Sequence, residues 1–199
     1  MRTRLALLLV PCLLLASALA LTACGGGDSD SEGEVEVAIE TSVTSTDPAK
    51  CTDLMTATFR NQNSGLRGDA ALEECEEEAE DTSDDPDSVT VSEIEVDGAG
   101  ATAEVAFVGG GFDGQTVAVA LVEGDESWKL DEITAFADLD PEALATTLEK
   151  KFEEASEGIT PTQIACIGDG IREAPQGEIE ELLLEGSNQK FVEFAEACE

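Results

Sequence analysis

The spacing of apolar residues divides the chain into an N-terminal helical part, a run of strands and a C-terminal helical part. The first segment with regular spacing is ambiguous. Val35, Val37 and Ile39 alternate as in a strand, but Val35, Ile39 and Val43 also fit one face of a helix. The pattern therefore leaves residues 34–46 open between the two.

Two helices are predicted before the strands. Asp47-Pro48 has the residue types of a helix N-cap and first turn, and the apolar residues that follow it have helical spacing: Cys51, Leu54, Met55 and Phe59. A second helix is predicted from Asp69, with three residues on its apolar face: Leu72, Cys75 and Ala79. The polar segment 81–88 is predicted to be a loop.

Residues 88–133 alternate between apolar and polar side chains, which predicts four strands. Within the first of them, Val89 and Val91 lie at odd positions, whereas Ile94 and Val96 lie at even ones. This change of phase near Ser92-Glu93 predicts a β-bulge. Asp97-Gly98 is typical of a two-residue hairpin turn. Because the other connections are also short, the strands should form a curved antiparallel meander.

The C-terminal part repeats one device for starting helices. Asp140-Pro141 and Thr160-Pro161 each combine an N-cap residue with proline at the first helical position. A third helix is predicted to stop at Gly186, and its apolar residues are Ile179, Leu182 and Leu183. A last helix would align Phe191, Phe194 and Cys198.

The order of helices followed by a bent meander resembles the NTF2-like (cystatin-like) cone fold. The likeness is carried by residues 91–103, residues 114–123 and above all Ser127-Trp128-Lys129-Leu130-Asp131-Glu132-Ile133. It predicts an α+β fold: N-terminal helices packed on a curved antiparallel four-stranded sheet over residues 34–137, followed by a small disulfide-stapled helical domain over 138–199. The fold implies a cavity at the open mouth of the cone, for which the candidate lining residues are Val105, Phe107, Val119, Leu121 and Trp128.

The N-terminus has the features of an export signal. Arg2 and Arg4 precede an apolar run from Leu5 to Leu21, which is short for a membrane span. The run ends in Leu21-Thr22-Ala23-Cys24-Gly25, which resembles the lipobox of bacterial lipoproteins. This resemblance implies cleavage between Ala23 and Cys24 and acylation of the Cys24 thiol. The alternatives are an ordinary secretory signal with an incidental cysteine and an uncleaved anchor.

The resemblance divides the N-terminal region into a signal peptide, residues 1–23, and a lipidated flexible tether, residues 24–33. The mature protein would then be attached to a cell membrane on its extracytoplasmic side, with membrane lipid as its first partner. Two or three acyl chains make such attachment effectively permanent, whereas a single chain is marginal.

Composition excludes several functions. The chain has 45 acidic and ten basic residues and no His or Tyr. Nucleic acid is excluded as a partner because phosphate binding needs clustered Lys and Arg. The absence of His removes Ser-His-Asp triads, Cys-His dyads and His-ligated metals. No cofactor motif and no metal-binding loop is present, so none of either is expected.

Four cysteines remain once Cys12 leaves with the signal and Cys24 is acylated. Export places them in a compartment that permits disulfides. We predict two structural bridges, one in each helical region: Cys51–Cys75 and Cys166–Cys198. Four cysteines allow three connectivities, and the sequence leaves the other two open.

Other polar groups are predicted to be structural. Asp138 and Asp140 are expected to end a strand and cap a helix, and Lys150-Lys151 to lie on a solvated helix surface. Two functions compete. The first is a non-enzymatic lipoprotein whose cone binds a small ligand or an envelope protein. The second is an NTF2-like enzyme, such as an isomerase, hydrolase or cyclase, that uses an Asp or Glu base in the cavity.

Overall fold

A computed structural model describes residues 28–83, 85–154, 159–184 and 197–198 of the chain. The fold is α+β, as predicted, with helices, then one four-stranded antiparallel sheet, then more helices. The helices are α1 (Asp28–Thr44), α2 (Lys50–Asp53), α3 (Ala57–Ser64), α4 (Asp69–Glu80), α5 (Pro141–Glu154), α6 (Pro161–Glu173) and α7 (Gln176–Leu183). The strands are β1 (Ser88–Asp97), β2 (Gly100–Val108), β3 (Thr116–Glu123) and β4 (Trp128–Asp138), with a short 3₁₀ turn at Gly110–Phe112.

Helix α1 resolves the ambiguity of residues 34–46 in favour of a helix. Its buried residues recur every three or four positions and lie against β1 and β4: Val35, Ala38, Ile39 and Ser42. The helix already begins at Asp28, so residues 28–33, predicted to belong to a flexible tether, are helical. Gly25, Gly26 and Gly27 lie between Cys24 and Asp28 in the sequence, and three residues reach at most about 10 Å.

The prediction of a single helix over Cys51–Phe59 is wrong, because residues 54–56 are not helical and separate α2 from α3. The backbone of residues 54–56 runs parallel to β4 and exchanges two hydrogen bonds with Leu130, at 2.8 and 2.9 Å. The Thr56 hydroxyl then accepts a hydrogen bond from the Phe59 amide and caps α3. The prediction that Asp47 caps this helix is wrong, because α2 begins at Lys50 with Ala49 at its N-cap and no side-chain cap. The Asp47 side chain instead accepts a hydrogen bond from the Ala49 amide, at 2.9 Å, in the turn before the helix.

The sheet follows the predicted meander, with strand order β1-β2-β3-β4. Its inward side chains form the centre of the core: Ala101, Ala103, Val105, Val117, Val119, Leu121, Trp128, Leu130, Ile133 and Phe136. The bulge predicted near Ser92-Glu93 is confirmed. The pairing of β1 with β2 shifts register between Ser92 and Glu95, and Glu93 has a φ of 48°. The Asp97-Gly98 turn is confirmed as well, with Gly98 at a φ of 62°.

Helical side chains close the free edge of β4. Leu130 pairs with the backbone of residues 54–56, as described above. Three residues further along the edge, the backbone N–H of Ile133 donates to the Gln62 amide oxygen, and its carbonyl accepts from the Gln62 amide nitrogen, both at 2.8 Å. Phe136 is bonded in the same way by two side chains of α7, Gln176 and Glu180. These contacts satisfy backbone groups that an open strand edge would expose.

The C-terminal helices start as predicted and pack on the same core as the sheet. Asp140 accepts hydrogen bonds from the first two amides of α5, both at 3.0 Å, and Thr160 forms a capping box with Gln163. The predicted boundary at residue 137/138 falls where strands give way to helices, but the apolar core runs across it. The core residues that follow this boundary are Leu144, Ala145, Ile171, Ile179 and Leu184. Gly186, Phe191 and Phe194 lie outside the described residues.

Arg172 fastens α6 to α5. Its guanidinium donates to both carboxylate oxygens of Glu149, at 2.8 and 3.2 Å, and to Glu142 at 3.0 Å. The hydrogen bonds to Glu149 raise the pKa of Arg172 above its ordinary value. Gly168 makes the approach feasible, because a Cβ there would collide with the Glu149 carboxylate.

Both predicted disulfides are present. Cys51 is bonded to Cys75, with 6.0 Å between their Cα atoms, and Cys166 to Cys198, with 5.7 Å. The first bridge joins α2 to α4, and the second ties α6 to the end of the chain. No described helix is long and apolar enough to cross a membrane. Ala23 and Cys24 lie outside the described residues, so cleavage and acylation stay predictions.

Candidate functional site

A cavity of about 380 Å³ opens between the helices and the concave side of the sheet. The C-terminal end of α1 borders it, together with α2, α3, α4 and the 3₁₀ turn. Apolar side chains form a large part of its walls: Val43, Met55, Phe59, Phe107, Phe112, Leu130 and Ile133. Uncharged polar side chains also line it: Ser42, Asn63 and Ser83. This volume is within the usual range for small-molecule sites, which are concave, mostly apolar and few per protein.

Two phenylalanines give the cavity a wall with fixed packing. The rings of Phe107, on β2, and Phe112, in the 3₁₀ turn, lie 5.6 Å apart at 41°. Phe112 also contacts Phe136 at 6.2 Å, which links this wall to the core. Across the cavity, the Met55 sulfur lies 3.7 Å from Cys75, so the Cys51–Cys75 disulfide supports the opposite wall. The aromatic and disulfide contacts hold the cavity open.

Two lysines line the cavity, and the groups that surround their amines differ. Lys50, on α2, is half-buried, and this burial lowers its pKa. The charges of Asp85 and Glu78 oppose the shift without cancelling it. Lys151, on α5, places its amine over Gly111, where an added Cβ would lie 3.2 Å from the nitrogen. The cavity therefore combines apolar walls with two amines.

The carboxylates of the cavity stand at its mouth. Glu78 and Asp81 are exposed, and Asp85 is half-buried. The pKa of Asp81 is lowered because its side chain accepts a hydrogen bond from the Ser83 amide at 3.0 Å. These groups are positioned to influence what enters the cavity.

A second groove lies along the N-terminal half of α1, beside the β3–β4 turn. It holds about 490 Å³, and its lining includes Val37, Trp128 and five carboxylates: Asp30, Glu34, Glu123, Asp125 and Glu126. Within the described part of the chain, no group of three or more Asp, Glu or Cys side chains is arranged to hold a metal ion. Acidity alone does not make this groove a site.

Of the five residues predicted to line a cavity, one lies in this cavity and four lie elsewhere. Phe107 does line the cavity. Val105, Val119 and Leu121 do not, because they are buried in the core between sheet and helices, at most 4 % exposed. Trp128 lines the second groove, at the other end of α1. Lys151 lies in the cavity wall, whereas the sequence indicated a solvated surface.

Several cavity residues were missed by the sequence analysis. Strand alternation identifies which side chains point inward, but not how far the helices cover each one. Lys50 and Met55 line the cavity on either side of the end of α2. The helical spacing of residues 51–59 gave no sign that the helix is interrupted there. Phe112 follows three glycines, Gly109 to Gly111, in one of the short connections between strands. An isolated aromatic residue within a glycine-rich turn was the one available signal.

The chain matches no protein-family model, no curated protein and no solved structure. The chemistry of the site must therefore be inferred from its own residues. Apolar walls, two amines and carboxylates confined to the mouth suit the non-covalent binding of a small molecule that has an apolar part and a charged part.

Proposed function

We propose that this protein is a lipid-anchored, extracytoplasmic lipoprotein whose NTF2-like cone binds a small ligand without transforming it. The observation that carries the proposal is the cavity of about 380 Å³ with apolar walls. An apolar cavity offers a ligand the free energy of leaving water, about 25 cal/mol per Å² of buried apolar surface. The few polar groups around it would fix the orientation of the ligand.

The NTF2-like assignment is supported by the arrangement of the described elements. Helix α1 lies against β1 and β4, the two edge strands, so the sheet curves around it. The cavity opens at one end of this curved sheet, where the resemblance places the mouth of the cone. The bulge between Ser92 and Glu95 supplies part of the curvature.

The anchoring proposal is supported by charge. After removal of the signal, all 45 acidic residues stay with the mature chain, whereas two of the ten basic residues leave. Such a chain is repelled by an anionic membrane surface. Retention there would require the acyl chains on Cys24, because the few exposed lysines and arginines are outnumbered.

The distribution of carboxylates favours binding over catalysis. A carboxylate base working near neutral pH needs to be desolvated and to have a partner that stabilises developing charge. Glu78 and Asp81 are exposed to solvent, and Asp85 is only half-buried. The other polar side chains in the lining besides the two lysines are Ser42, Asn63 and Ser83, none of which is a carboxylate. An NTF2-like enzyme with an Asp or Glu base is therefore the weaker alternative.

Filling the cavity tests the proposal. Val43 is half-buried at the C-terminal end of α1 and lines the cavity, so the indole of Val43→Trp should occupy the space that a ligand needs. We expect the wild-type chain to bind 1-octanol and this variant to lose at least tenfold in affinity. The measurement is saturation-transfer NMR on the full chain in nanodiscs of zwitterionic phospholipid, with empty nanodiscs as the blank.

Val37→Trp is the matched control. It makes the same substitution on the same helix, but Val37 is 61 % exposed and lines the second groove. This variant should bind octanol as the wild type does. Equal binding by both variants, or no binding by the wild type, would contradict a ligand site in this cavity.

A further inference from the structure

We infer that the ligand of the cavity is a monoanionic amphiphile, an alkyl chain ending in one anionic group, with the anion held by Lys50 and Lys151. This inference deepens the proposed function and rests on it. It identifies the ligand by chemistry: a fatty-acid-like molecule whose chain contacts the apolar walls and whose head group faces the two amines.

The use of basic residues in this acidic chain supports the inference. Only eight Lys and Arg follow the signal, and two of them line this cavity. Lys50 and Lys151 are thus a large share of the scarce positive charge, placed beside an apolar cavity.

The amine of Lys50 is suited to an anionic ligand. It is half-buried, and among the described residues it makes no hydrogen bond and no ion pair within 4 Å. Asp85 and Glu78 act on it only through their charges. A partly desolvated ammonium without a close partner is unfavourable. A carboxylate or phosphate oxygen from a ligand would supply that partner through a charge-assisted hydrogen bond.

The mouth also limits how much negative charge the ligand can carry. The carboxylates of Glu78, Asp81 and Asp85 outnumber the two amines. A polyanion, such as a sugar bisphosphate, would meet repulsion there and could not use the apolar walls. A single anionic group on an alkyl chain uses both features of the site. The carboxylates stay solvated at the rim while the chain lies inside.

Three probes with the same eight-carbon chain test the inference: octanoate, 1-octanol and octylammonium. Saturation-transfer NMR on the full chain in zwitterionic nanodiscs should give the tightest binding for octanoate and the weakest for octylammonium. Lys50→Gln should weaken octanoate binding about tenfold, because one charge-assisted hydrogen bond is lost. Its octanol binding should fall much less, because octanol carries no anionic group for Lys50 to bind. Lys151→Gln should act in the same direction.

Lys150→Gln is the matched control, since it removes the same charge from the neighbouring position. Lys150 points to solvent, with its side chain 76 % exposed, and pairs only weakly with Glu154 at 4.0 Å. It should leave octanoate binding unchanged. A similar loss in this variant would show that long-range charge, not the cavity amines, determines affinity, and would overturn the inference.

The outcomes separate the inference from the proposed function. If octanol binds as tightly as octanoate, or octylammonium binds best, the cavity is a ligand site but the anionic class is wrong. The same holds if Lys50→Gln weakens all three probes equally. If none of the probes binds the wild-type chain, the inference and the proposed function both fail.

Discussion

Replacing Cys24 with serine is expected to abolish acylation and signal cleavage together. The thioether forms on the Cys24 thiol, and cleavage at a lipobox follows acylation, so a hydroxyl at this position should stop both steps. Labelled palmitate incorporated into the protein should fall to background. The protein should be retained at precursor size, 23 residues longer than the mature chain that the lipobox predicts.

Cys12→Ser is the control for this substitution. It makes the same change within the apolar run of the signal, twelve residues before Cys24, and should leave labelling and processing intact. The assignment as a lipoprotein fails if Cys24→Ser is still cut after residue 23, or if the variant takes up palmitate. The first result would indicate an ordinary secretory signal, and the second would mean that another residue is acylated.

Removing either disulfide is expected to lower the free energy of unfolding by about 3–4 kcal/mol. The bridges close loops with sequence separations of 24 and 32, and a loop of that length restricts the unfolded chain by about this amount. The variants are Cys51→Ala with Cys75→Ala, and Cys166→Ala with Cys198→Ala. Urea unfolding followed by circular dichroism measures the change.

The two pairs should differ in their effect on ligand binding. Cys75 lines the cavity and contacts Met55, so loss of the first bridge should weaken octanol binding as well as stability. The described part of the cavity wall does not include Cys166, and loss of the second bridge should leave binding unchanged below the unfolding transition. Equal effects on binding would contradict the placement of the site, and stability losses under 1 kcal/mol would contradict the structural role of the bridges.

The strands were predictable because their signals are local. The change of phase between Val91 and Ile94 located the bulge, and Asp97-Gly98 located the turn. Cysteines on the apolar faces of two successive helices gave the Cys51–Cys75 pair, and Cys166–Cys198 followed as the remaining pair. Each of these signals needs only the chain's own periodicity and a few neighbouring residues.

Neither the interruption between α2 and α3 nor the cavity could be predicted from local signals of this kind. Residues 51–59 have helical spacing, but their backbone pairs with Leu130, about 75 positions later in the chain. Only the folded sheet brings that partner near. The polar segment 28–33 likewise gave no periodic signal for α1, which is held by Val35, Ala38 and Ile39 further along. Tertiary contacts override local pattern at these sites.

The most direct test of the cavity uses two residues that occur once in the mature chain. Met55 is the only methionine besides Met1, and Trp128 is the only tryptophan. Met55 lies in the cavity wall and Trp128 in the second groove. A ¹³C-methyl label on methionine and the indole N–H of tryptophan therefore report on the two places separately.

We propose titrating the full chain with octanoate while following both NMR signals. A ligand in the cavity should shift the Met55 methyl signal until saturation, give a nuclear Overhauser effect to the alkyl chain, and leave the Trp128 indole signal in place. The Val43→Trp variant should lose the Met55 response. A shift confined to Trp128, or a Met55 signal unchanged at octanoate concentrations that saturate binding, would contradict a ligand site in the cone.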